Sequence, residues 1–197
     1  MRSNTKEKIK KVAFSLFASN GYEATTMNQI AAGVGIKKPA IYTYFNGKEE
    51  LFLSIYEELE KDYRSYMEKV LDTARNIEEI EQKLYYIFEQ YILYFAQSKK
   101  VSAFWNRILF FPPASLKDKL YLKIFSNENY FKEEFKKIFQ QGMNQGVIRK
   151  APVEVMLLSY YSIREGFLLF STLLNEKLKE QKIKFAWQDY WMGIKKR

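Results

Sequence analysis

Apolar residues recur every three or four positions along nearly the whole chain, and that spacing leaves room for little except packed α-helices. Ile9, Val12, Ala13, Leu16 and Phe17 form a first stripe. Leu51, Phe52, Ile55, Leu59, Tyr63, Met67 and Val70 form a second, and Ile80, Leu84, Phe88, Tyr91, Ile92 and Phe95 a third. No stretch alternates in the manner of a strand, and there is no repeat or low-complexity run. With eight Gly and four Pro in 197 residues, few positions interrupt a helix, and 47% hydrophobic residues supply a core. An all-α fold is therefore expected.

The interruptions divide the chain. A first helix is expected over 3–20, ended by Gly21. Thr26 followed by Gln29 fits a capping box that opens a short helix over 27–33. Gly35 breaks the chain, and a second short helix covers 38–44, with Pro39 in the first turn where its missing N–H costs nothing. Ile41 and Phe45 would face inward. After the Asn46-Gly47 turn, Glu49 and Glu50 suit the start of a long helix over 48–74. Further helices are expected over 77–97 (capped by Asn76), 101–111 (stopped by Pro112-Pro113), 115–126, 128–144, 153–174 and 185–195. Gly142 and Gly146 would punctuate the helix over 128–144. Two domains follow: 1–47, and 48–197.

Chemistry is narrowed by what is missing. Without Cys there is no disulfide, thiolate metal site or cysteine nucleophile; without His the commonest general base and metal ligand are gone. No catalytic residue, metal site or cofactor is expected, and the chain does not read as an enzyme. Its net charge of +9 suits a polyanionic partner. Between Gly35 and Lys48 there are three lysines and no acid. Residues 1–11 lack the apolar core of a signal peptide, and Arg164-Glu165 interrupt the apolar stretch 153–174 that is otherwise long enough to span a bilayer. A cytoplasmic protein without membrane association is expected.

Two short helices joined by a glycine turn, after a longer first helix, describe a helix-turn-helix, whose second helix enters the major groove of double-stranded DNA. Over its first fifty or so residues the chain resembles the TetR family of regulators. The matching residues are Gly21-Tyr22, Thr25-Thr26, Ile30-Ala31, the run from Gly35 to Phe45, and Lys48-Glu49-Glu50-Leu51-Phe52. The resemblance implies an N-terminal three-helix DNA-binding domain followed by a helical-bundle domain for ligand binding and dimerisation. It implies phosphate contacts from Thr25, Thr26, Tyr42, Tyr44 and Lys48, and entry of Lys38 into the groove beside Pro39 and Ala40, with Lys37, Thr43 and Gln29 as additional contacts. The chain departs from the family pattern at Gly33, where a better helix former is common, at Lys37, where serine is usual, and at Pro39, where glycine is usual.

By the same resemblance, the function is ligand-responsive transcriptional regulation, chiefly repression, by a homodimer on a palindromic operator. Phe88, Tyr91, Phe95, Phe104, Trp105 and Phe110 lie on helices that surround the effector pocket in the family, and their character favours a small hydrophobic or aromatic effector. Any single one of them is more often core than pocket wall. The stretch 153–174 is apolar nearly all round, which suggests a second partner. Met156, Tyr160, Ile163, Phe167 and Phe170, with Trp187, Tyr190 and Trp191, would form a four-helix seam across a two-fold axis. An effector-independent regulator or DNA-organising protein is the alternative. A helical enzyme and a membrane-surface protein are the remoter ones. The basic end 195–197 reads as a solvated tail.

Overall fold

A computed structural model describes residues 2–174 and 180–196 and places nine α-helices among them, with no strand beyond an isolated bridge. They are α1 (Arg2–Asn20), α2 (Met27–Val34), α3 (Lys38–Ile41), α4 (Lys48–Arg75), α5 (Ile80–Ala96), α6 (Lys99–Phe110), α7 (Lys117–Asn144), α8 (Val153–Leu173) and α9 (Glu180–Ile194). Among the described residues no helix is long and apolar enough to cross a membrane. The chain divides into two compact units. One holds the residues up to Ser65 together with Ser98–Tyr121; the other holds Tyr66–Gln97 and the residues from Leu122 onward.

In the first unit, the α1 stripe buries Ile9, Ala13 and Phe17 with Ile30, Ile41, Phe45, Leu51 and Phe52. Phe17 meets Phe52 edge-on at 5.1 Å between ring centroids, and Phe52 lies 5.2 Å from Phe104 on α6. Gly21 ends α1 at φ 84°, a left-handed conformation that glycine adopts without strain. Arg107 then closes that end: its Nε donates to the Ala18 carbonyl at 3.1 Å and Nη2 to that of Ser19 at 2.7 Å. These carbonyls lack partners within α1, so a side chain 88 positions away supplies the cap. Gly33 proves to be a packing requirement. A Cβ there would lie 2.6 Å from Cγ1 of Val12, so a better helix former would push α2 off α1.

In the second unit, Tyr160 of α8 is fully buried among Phe88, Phe135, Phe139 and Tyr190, with centroids 5.1–6.3 Å away. The Arg164-Glu165 pair is explained by Tyr91. Its hydroxyl donates to Glu165 Oε1 at 2.6 Å, Arg164 donates to the same oxygen through Nε and Nη2, and the guanidinium lies 3.8 Å from the Tyr91 ring centroid. Charge, hydrogen bonds and cation–π contact together compensate burial.

Several boundaries differ from expectation. Asn76 does not cap α5: its N–H and that of Ile77 return to Thr73 and Ala74, extending the end of α4 as a turn, and Glu79 occupies the α5 cap position. The segments 115–126 and 128–144 are one helix, α7, since nothing between them removes a donor or demands a turn. Gly142 lies inside α7, where a Cβ would come within 2.7 Å of Ile148 and 2.9 Å of Ile80. The C-terminal end is tied down: Arg149 N–H donates to the Ile194 carbonyl and Lys196 N–H to that of Val147, each at 2.9 Å, while Arg197 lies outside the described residues.

Candidate nucleic-acid interface

The segment that carries α2 and α3 is built by local chemistry. Thr26 and Gln29 form the reciprocal box: Gln29 N–H donates to Thr26 Oγ1 at 3.2 Å, and Thr26 N–H donates to Gln29 Oε1 at 2.8 Å. Gln29 is thereby occupied in starting α2. Gly35 ends α2 at φ 80° and donates to the Ala31 and Ala32 carbonyls, and Ile36 N–H follows onto Ala31 at 3.0 Å. The chain turns sharply there and starts α3.

The helix α3 is a single turn rather than the two expected. Tyr44 and Phe45 both donate to the Ile41 carbonyl, and the Thr43 hydroxyl takes the Ala40 carbonyl at 2.8 Å, so 42–44 continue as turns. So short a helix has little macrodipole, and the case for Lys37 and Lys38 as anion-binding groups rests instead on their surroundings. Both are exposed, and among the described residues neither has an acidic partner or a side-chain hydrogen bond. Pro39 and Thr43 are exposed beside them, as is Tyr42 at 46%, while Ile41 and Phe45 are buried beneath. Ala40 and Tyr44 are half-buried.

Two expected phosphate contacts have other duties. Thr25 is fully buried and its hydroxyl donates to the Gly21 carbonyl at 2.7 Å. It holds the loop before α2, while the neighbouring Thr26 is exposed. Lys48 donates to the Tyr22 carbonyl at 2.8 Å and lies 4.1 Å from the centre of the Tyr22 ring. Burial, with the Glu49 and Glu23 carboxylates, raises the Tyr22 hydroxyl above its ordinary range and keeps it neutral beside this cation. Lys6, absent from the expected set, places its ammonium 5.3 Å from the Phe45 ring and adds a fourth cation near the head. No spacing rule marks it, because it stands on α1, far from α3 in sequence.

The aromatic residues expected around an effector fall in both units. Phe88 is fully buried against Tyr160 and Trp187; Tyr91 is engaged with Glu165, and Phe95 packs on Tyr91. In the first unit Trp105 packs on Tyr56 and Tyr63, and Phe110 is 45% exposed. Phe104 lines a cavity of about 320 Å³ together with Phe17, Tyr22, Phe52, Arg107 and Phe111.

The residues expected at a dimer seam are mostly interior. Met156, Tyr160, Trp187, Tyr190 and Trp191 are buried within their own unit, Ile163 and Phe167 are half-buried, and Phe170 is exposed. The outward apolar residues of α8 and α9 are instead Val155, Leu158, Phe170, Leu173, Phe185 and Met192. Periodicity identifies α8 as apolar on most sides but cannot tell which side its own core consumes.

Residues 9–55 match the model for bacterial regulatory proteins of the tetR family. Over 74 residues the chain is 40% identical to the uncharacterized HTH-type transcriptional regulator YerO of Bacillus subtilis, a match covering 38% of this chain and 23% of that protein. Over 96 residues it is 31% identical to IcaR of Staphylococcus epidermidis, the HTH-type negative transcriptional regulator of the biofilm operon icaADBC, covering 47% and 52%. The chain thus spans from about a quarter to about half the length of these curated relatives. Among solved structures, the ketosteroid transcriptional regulator KstR2 of Mycobacterium tuberculosis aligns with a TM-score of 0.75 at 17% identity, over 98% of this chain and 95% of that one. The Bacillus subtilis regulator FadR in complex with stearoyl-CoA aligns with a TM-score of 0.72 at 18% identity, over 95% and 98%. These two likenesses concern the fold, an N-terminal helix-turn-helix followed by a helical domain.

Proposed function

We propose that the chain is a TetR-family DNA-binding transcriptional regulator that uses residues 1–47 to grip duplex DNA and 48–197 to pair and to sense; residues 9–55 match the family's model. The observation that carries this reading is the pair Lys37 and Lys38. Both are exposed, unneutralised by any acid among the described residues, and set at the start of α3 beside Tyr42. Adjacent exposed cations with no acid beside them suit a polyanion. Thr26, Tyr42, Tyr44 and Lys48 position the head on phosphates, and Lys38 reads a base edge.

The protein acts as a homodimer on a palindromic operator, chiefly as a repressor. The relative IcaR is itself a negative regulator. Pairing uses the outward residues of α8 and α9, Val155, Leu158, Phe185 and Met192 among them, because apolar side chains left in water favour a second copy. A small hydrophobic or aromatic effector lowers operator affinity by binding two conformations unequally. The aromatic cavity beside Phe104 favours such a ligand, as does stearoyl-CoA in the FadR structure.

Selection of bound sequences from random duplex DNA with the intact chain tests this reading. An enriched inverted repeat is expected. Enrichment of a single half-site, or of nothing, contradicts it. Repeating the selection with cell extract exposes an effector as loss of the enriched duplex.

A further inference from the structure

Lys83 has a largely buried stem and an ammonium that no acid neutralises among the described residues. It stands on α5 at 9% exposure, and among the described residues its ammonium has neither an ion pair nor a hydrogen bond. The ammonium is not sealed from water, so an anion entering from solvent can meet it. Lys83 lines a cavity of about 170 Å³ in the second unit, where the last turns of α4 meet α5 and α7. Leu71 and Ala74 give the cavity apolar, buried surface; Arg75, Lys137, Glu134 and Gln141 add polar groups.

The charges of the lining do not balance. Glu134 accepts from Lys137 at 2.7 Å and lies 3.6 Å from Arg75. The Lys137 hydrogen bond and these two cations hold its carboxyl below the usual range. Arg75 is further paired with Asp72 at 2.7 Å. The one acid of the lining is therefore committed to Lys137 and Arg75, and Lys83 is left over.

We propose that this cavity is a binding site for a compact oxyanion, a phosphate or carboxylate group, with Lys83 as its counter-charge and Arg75 and Lys137 flanking it. Its volume corresponds to about six waters, room for phosphate or a short dicarboxylate. The site shares no residue with α3 or with the aromatic cavity beside Phe104, and it does not depend on the DNA-binding reading.

Thermal unfolding of the intact chain tests the site, with inorganic phosphate or malonate titrated at constant ionic strength against sodium chloride. Phosphate, malonate or both are expected to raise Tm by about 2–4 °C beyond chloride once the site saturates. The larger shift tells which group the site prefers. Lys83→Met keeps an apolar stem of similar length, so it folds as the parent does, and it loses the response with the charge. Gln141→Trp, at an exposed position on the lining, closes the cavity with the charge retained and also loses it. Lys38→Ala keeps the response, which separates this site from the DNA-facing lysines, and Lys83→Met keeps DNA affinity. Absence of any shift beyond chloride, or an equal shift in Lys83→Met, overturns the proposal and leaves the DNA reading intact.

Discussion

Lys48 fastens the start of α4 to Tyr22: its ammonium donates to the Tyr22 carbonyl at 2.8 Å and lies 4.1 Å from the centre of the same ring. Tyr22 in turn meets Phe52 edge-on at 5.1 Å, one α4 turn beyond Lys48. A residue expected only to hold DNA thus also braces the loop before α2. Replacing Lys48 with Met is expected to cost about 1–2 kcal/mol of stability, from a charged hydrogen bond and a partly exposed cation–π contact. Urea unfolding measures that cost. On DNA the same variant should weaken operator and random duplex alike and lower the salt slope by about one unit. Unchanged stability would remove the bracing role.

Gly33 gives a prediction with an inverted sign. Glycine to alanine inside a helix ordinarily gains about 1 kcal/mol. Here the new Cβ would lie 2.6 Å from Cγ1 of Val12, and a β-branched side chain has few rotamers by which to withdraw. Gly33→Ala is therefore expected to destabilise by about 1–3 kcal/mol. Relative to Val12→Ala alone, the double variant should be stabilised, because the obstructing methyl is gone. A stabilised single variant in urea titration would show that α1 and α2 are not in the contact described.

The local grammar of the fold was legible: the Thr26–Gln29 box, the left-handed stop at Gly35 and the inward faces of Ile41 and Phe45 all depend on residues within a few positions. Tertiary assignments were less so. Nothing in spacing indicates that Arg107 caps α1, that Lys48 belongs to Tyr22, or that Thr25 is buried while Thr26 is exposed. The apolar excess of α8 was visible, yet its division between core and surface was not, because Tyr160 and Trp187 are claimed by Phe88 in the same unit. Lys83 reads as an ordinary helix-surface lysine until α4 and α7 are seen around it.

The pairing surface can be tested without DNA. Leu158→Glu and Phe185→Glu place charges on outward apolar positions and are expected to yield folded monomers by light scattering at micromolar concentration. Trp187→Ala should instead lower stability by about 3–5 kcal/mol, since Trp187 is a core residue. If both glutamate variants remain dimeric, pairing uses another face.

A cap prediction separates two adjacent threonines. Thr26→Ala removes the acceptor for Gln29 N–H and should cost about 1 kcal/mol. Thr25→Val keeps the buried shape but strands the Gly21 carbonyl, at a cost of about 1–3 kcal/mol. In DNA-binding titrations on folded protein, Thr26→Ala is expected to weaken affinity. Thr25→Val should leave affinity nearly unchanged, and a larger loss from Thr25→Val would reverse their roles.

The central claim is that the exposed face of α3 reads duplex DNA through Lys38. Fluorescence anisotropy with the selected operator and a scrambled duplex, across a salt series, compares the parent with Lys38→Ala. Lys38→Ala is expected to lose about 1–3 kcal/mol on the operator and to relax preference at one base pair per half-site, with a much smaller loss on scrambled DNA. Equal weakening of both duplexes would make Lys38 a phosphate clamp, and unchanged affinity for both would contradict the interface itself.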